Sequence, residues 1–159
     1  MKNLILVTIL LISVSALSFG QTSASVTATV NAVLSISTTQ DLSIGNVVKG
    51  TTKTIASSAA NAAAFTITGE PNTQTIVTVA FPLNLSDGTN NLPFTGQIPI
   101  HNTVADQSSA TAYGALTGGT TSTNATGDLY VYVGGGVTAA VAQASGNYSG
   151  TINVNVVYP

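Results

Sequence analysis

His101 is the single histidine of this chain, and its imidazole is the one side chain whose ordinary pKa suits proton relay near neutral pH. A hydrolytic triad would need it to meet a Ser and an Asp through the fold. The five acids, Asp41, Glu70, Asp87, Asp106 and Asp128, are dispersed along the sequence. No Gly-x-Ser-x-Gly nucleophile elbow is present, and Gly146-Asn147-Tyr148-Ser149-Gly150 misses that spacing. Cys is absent, which removes thiol chemistry. No Asp-x-Asp-x-Asp loop offers a calcium cage, and Gly134-Gly135-Gly136 lacks the Gly-Lys-Ser/Thr of a phosphate loop. No catalytic residue, cofactor site or metal site is therefore assigned, and the chain reads as a non-enzyme. Tyr130 and Tyr132 fall on one face of a predicted strand, where two rings either stack a sugar or pack against neighbouring strands. Asn84, Asn124 and Asn147 begin glycosylation sequons of the kind that arise by chance in a chain this rich in Asn, Ser and Thr.

The elements that position these residues are short strands. Hydrophobic residues make up 44% of 159 positions, enough for the core of one domain. Only 5% are charged, with Lys2, Lys49 and Lys53 as the cations and no Arg, so clustered phosphate contacts are excluded and nucleic acid is not a partner. Residues 1–20 predict a signal peptide: Lys2, an apolar run from Leu4 to Leu17, and small residues Ser18 and Gly20 before a cut at Gln21, with cleavage after Ala16 as the alternative. The run is shorter than the ~20 residues that span a bilayer. The expected product is an exported protein of the cell surface, periplasm or medium, without an integral membrane segment. Lacking disulfides, it is held by sheet pairing and packing alone.

Ser23 to Ser37 alternates small or apolar residues with Ser, Thr and Asn over a length of roughly 45 Å, too long for one ordinary strand. It divides into an extension over 21–30 and a first strand over 31–37, which opens a domain at 31–159. Asp41–Val47 predicts a short strand with a kink at Gly45, and Thr51–Ala56 another. Ser57–Ala64 is either one helical turn or a loop. Phe65–Gly69 and Thr73–Phe81 are strands joined by a turn at Glu70-Pro71-Asn72. Asp87-Gly88 marks a bend, Pro99 places Gln97–His101 on a sheet edge, and 106–128 predicts a long mobile loop. Leu129–Val133 and Thr138–Ala142 are strands separated by a Gly134-Gly135-Gly136 turn. At the end of the chain Ile152, Val154, Val156 and Tyr158 share one side of a closing strand, with Thr151, Asn153 and Asn155 on the other. Many strands without an amphipathic helix pattern predict an all-β, immunoglobulin-like sandwich.

Four segments, Leu42–Val47, Ala64–Asn72, Gly127–Gly134 and Gly146–Val156, resemble in content and order a bacterial secreted domain family of uncharacterised function. That family is similar to spore coat protein U domains and, more remotely, to chaperone–usher pilins. The resemblance implies a pilin-like fold and a fimbrial or other structural role, with a second copy or a periplasmic chaperone and outer-membrane assembly machinery as partners. Gly146 and the penultimate Tyr158 look like the ends of the pilin strand that a chaperone grips. The paired Cys of such pilins are absent here. On this reading Ala24, Val26, Ala28 and Val30 form a donor strand, and Gly146, Ile152, Val154, Val156 and Tyr158 belong to the acceptor or closing strand. Two alternatives stand beside it: a self-complemented monomeric envelope protein, and a carbohydrate-binding module using Tyr130 and Tyr132.

Overall fold

The computed structural model describes residues 22–159, so the predicted signal peptide lies outside the described residues. The chain divides between Val30 and Asn31 into two units. In the first, Thr22–Val30 adopts no strand, and Val26 and Val30 are 94% and 92% exposed.

The second unit is all-β, with no helix among the described residues. Its twelve strands are β1 (Ser35–Gln40), β2 (Thr52–Ile55), β3 (Ala63–Thr68), β4 (Gln74–Ala80), β5 (Asn84–Ser86), β6 (Asn91–Gly96), β7 (Ile100–Asn102), β8 (Thr111–Ala112), β9 (Gly118–Ser122), β10 (Asp128–Val133), β11 (Gly135–Thr138) and β12 (Asn153–Val157). They form three antiparallel sheets in the orders β1-β3-β10-β7-β8, β2-β11-β6-β5 and β12-β4-β9. Period-two patterning decides which face is buried. Ala63, Phe65 and Ile67 of β3 and Leu129, Val131 and Val133 of β10 pack against Val77 and Val79 of β4, giving the five- and three-stranded sheets a common core. Leu92, Phe94, Val137 and Ala139 form a second cluster under the four-stranded sheet. Leu42, Phe81 and Ile152 pack against both clusters and join them.

Several expectations are corrected. Asp41–Val47 forms no strand, although Gly45 does supply a kink at φ 68°. The glycine triplet is not a turn: β10 runs through Gly134 into β11 and changes sheets there. A Cβ on Gly134 would press on the backbone of Ile55, Ala56 and Ser57, so only glycine allows the crossing. Thr138–Ala142 is accordingly not a separate strand, since β11 ends at Thr138. Gln97–His101 is not an edge either; β7 begins after the buried Pro99 and lies between β10 and β8. The expected 106–128 loop contains β8 and β9. Local side-chain bonds hold its bends: Asp106 accepts from Ser108 and Ser109, and Asn124 from Thr126 and Asp128.

Candidate functional site

The closing strand places Ile152, Val154, Val156 and Tyr158 on the inward side in sequence, and all four are half-buried. Fully covered core residues would have neighbours on both sides. β12 has one: it pairs with β4 and ends its sheet. β1 likewise pairs only with β3, and its six residues are all exposed. Both strands therefore carry a row of backbone N–H and C=O groups without ladder partners, the condition that makes a sheet edge ready to accept another strand.

A cleft of about 960 Å³ lies between the arm that follows β1, residues 41–47, and the arm that leads into β12, residues 143–152. Phe65, Leu92, Phe94 and Val137 line it with apolar surface. Leu42 and Ile44 alternate with Asp41 and Ser43, so the first arm presents apolar side chains to the core although it joins no sheet. Ser43 is held by Asn61, which receives the Ser43 N–H on its carbonyl at 3.0 Å and donates its own Nδ2 to the Ser43 carbonyl at 2.7 Å. The second arm is pinned by the Ser86–Ser149 bridge and by the Tyr148 hydroxyl, which donates to the Ala144 carbonyl and accepts from Gln143 Nε2. Gly146 is exposed on this arm, next to the Asp87 carboxylate. Hydrogen bonds from Asn90 and Thr89 hold that carboxyl at about 2, well below the usual range.

At the other end, Tyr158 ties the two edges together. Its hydroxyl donates to the Ala32 carbonyl at 2.9 Å and accepts the Glu70 N–H at 2.7 Å, while Glu70 Oε2 accepts the Ala32 N–H at 2.9 Å.

The other candidate residues lie elsewhere. Tyr130 and Tyr132 alternate with the core residues Leu129 and Val131, so they occupy the opposite face of the five-stranded sheet. Tyr132 is only 7% exposed, which leaves Tyr130 as the one ring of the pair available to a sugar. Burial and the nearby Asp106 carboxylate raise the Tyr132 hydroxyl's pKa. His101 shares a hydrogen bond of 3.2 Å with Thr121 Oγ1, and its ring lies 4.4 Å from that of Tyr113. Desolvation lowers its pKa. Among the described residues no three His, Asp or Glu side chains gather where they would hold a metal ion.

Leu42, Ile44, Leu92 and Phe94 line the cleft, although nothing in the sequence marks them as parts of a site. Their alternation was visible, but their convergence on Ile152 depends on tertiary packing.

Residues 10–158 match the family described as Domain of unknown function (DUF4402). No curated protein matches the chain.

Proposed function

Because the chain belongs to the DUF4402 family, to which no function is attached, we propose its role from geometry: a non-enzymatic, exported structural subunit of the cell surface, whose cleft receives a β-strand from a second copy. One observation supports this reading, a partly apolar cleft between the segment that follows β1 and the segment that leads into β12, two strands that each lack a second neighbour. On this reading the three sheets form a pilin-like variant of the immunoglobulin sandwich. The incoming strand is 21–30, with Ala24, Val26, Ala28 and Val30 entering the cleft and Ser23, Ser25, Thr27 and Thr29 staying wet. Adding a strand satisfies backbone groups on both chains, and the alternating side chains supply selectivity. Burying Val26 and Val30 contributes ~3 to 6 kcal/mol before the ordering of the arm is subtracted.

The test is the size distribution of the purified exported chain. Wild type is expected to form multimers that persist in detergent without heating. Val26→Asp with Val30→Asp would set two charges against the cleft's apolar side chains Phe65, Leu92, Phe94 and Val137 and is expected to give a folded monomer. Multimers of unchanged size from the double variant would sink the proposal. A wild type that is always monomeric would favour the self-complemented alternative.

A further inference from the structure

Two of the acids and both lysines of the described chain lie at opposite ends of the domain. Thr68 pairs with both Ser35 and Asp128, and the Tyr158 bonds to Ala32 and Glu70 lie beyond those pairs, so Glu70 and Asp128 mark one end of the domain. From Asp128 the chain runs through β10 and β11 to Thr138, on the order of 30 Å at the rise of an extended strand. At that far end Thr138 pairs with Thr52, the Gly50 N–H donates to the Ala139 carbonyl, and Gly50 lies against Val141. Both cations of the described chain belong there: Lys49 is exposed, and Lys53 Nζ donates to the Asn46 carbonyl. Asp87 also lies at this end, its carboxylate already accepting from Thr89 and Asn90, and Asp41 lines the same cleft as Lys49. Exposed apolar side chains accompany the charges at both ends, Val33 (90%) beside Ala32 and Val48 (71%) with Val141 (83%) beside Lys49.

Resting on the strand-addition reading above, we propose that these two ends are complementary faces of a head-to-tail contact between copies: the Glu70 and Asp128 end of one copy seats on the Lys49 end of the next, with Val33 against Val48 and Val141. Direction follows from this. The 21–30 arm joins its own domain at Asn31, on the Glu70 side. If it enters the neighbour antiparallel to β12, its last residue emerges at the neighbour's Lys49 end, and acids meet lysines. If it enters parallel to β12, it emerges at the Glu70 end, and acids meet acids, which repels. The cleft is lined by Lys49 and by residues 143–152, so an arm that leaves it on that side carries its own domain to the Lys49 end. The electrostatic part acts within a Debye length of roughly 8–10 Å near physiological salt, so it serves contacting ends and no others.

The test uses the purified exported chain in sedimentation and non-reducing electrophoresis. Lys49→Glu is expected to weaken multimerisation by roughly tenfold at low salt, and adding Glu70→Lys is expected to restore it. The natural sequence has no Cys, so Val33→Cys with Val48→Cys introduces the only thiols, and oxidation is expected to give a disulfide ladder. Val33→Cys alone is expected to give none. Cross-linked dimers from Val33→Cys alone would show like ends meeting and overturn the proposal. So would failure of the charge swap while Val26→Asp/Val30→Asp still abolishes multimers, a result that leaves strand addition standing. A wild type without multimers overturns both readings together.

Discussion

The Tyr158 hydroxyl and the Ala32 carbonyl, 126 positions apart in the chain, are joined by a hydrogen bond of 2.9 Å. The same hydroxyl accepts the Glu70 N–H, so one phenol links the lead into β1, the turn after β3 and the end of β12. Tyr158→Phe keeps the ring and removes both bonds. The expected cost is ~1 to 3 kcal/mol, read as a lower urea midpoint at unchanged slope. An unchanged midpoint would show that the closure contributes nothing.

Tyr113 presents the opposite case. The residue is 4% exposed and its hydroxyl has no hydrogen-bond partner. Burial accordingly drives its pKa far above the ordinary value of 10.0. Tyr113→Phe removes an unsatisfied buried group while keeping the ring against His101, and is expected to be neutral or to stabilise by about 1 kcal/mol. A clear loss of stability in thermal melts would contradict this.

The sheet crossing is sterically exacting. Gly134→Ala would drive a methyl into the backbone of the segment 55–57, which cannot step aside as a side chain can. A loss of ~3 kcal/mol or more is expected, at the upper end of overpacking costs. Gly114→Ala, where nothing lies within 4 Å, is the neutral control. Equal effects in denaturant titrations would refute the steric account.

His101, Asp87 and Asp106 all contribute to the pH dependence, Asp106 because hydrogen bonds from Ser109 and Ser108 lower its pKa. Desolvation holds His101 below its ordinary 6.5, so the folded chain binds fewer protons there than the unfolded chain. Its contribution is complete above pH 6.5 and declines as pH falls through that value. Asp87, held at about 2 against an ordinary 3.8, contributes stability that is present above pH 3.8 and lost as pH falls toward 2. Urea midpoints between pH 7.5 and 5.5 are expected to fall in wild type and stay flat in His101→Gln. A slope that survives in the variant would exclude His101 as its source.

Strand content was legible where apolar residues alternate. Leu129 to Val133 and the side of the closing strand carrying Ile152 to Tyr158 were read correctly because each has one covered face. The turn at Glu70-Pro71-Asn72 was legible from its residues, and Asn72 has φ 50°. The glycine triplet was misread because glycine serves a turn and a crowded crossing equally well, and only the Ile55–Ser57 backbone distinguishes them. β9 was hidden because Gly118 to Ser122 has no apolar alternation; its register comes from β4, whose Val77 and Thr78 backbone lies against Gly118. The cleft was half legible. The closing strand announced an incomplete partner, but nothing local showed that Leu42 and Ile44 would face Ile152 across an open space.

The ladder between β1 and β3 also determines how the domain would carry mechanical load. The arm before Asn31 enters β1 at its Ser35 end, and β1 lies antiparallel against β3 through Ser35–Thr68, Ile36–Ile67, Ser37–Thr66 and Thr38–Phe65. Tension on the arm, directed along β1 and away from the domain, first meets the Ala32 bonds to Glu70 and Tyr158 and then pulls the ladder lengthwise. Its hydrogen bonds run across the strands, so they resist as a group in shear and do not open one after another as in peeling. Load entering through the arm would thus be shared along the ladder as far as the irregularity between Thr38 and Gln40.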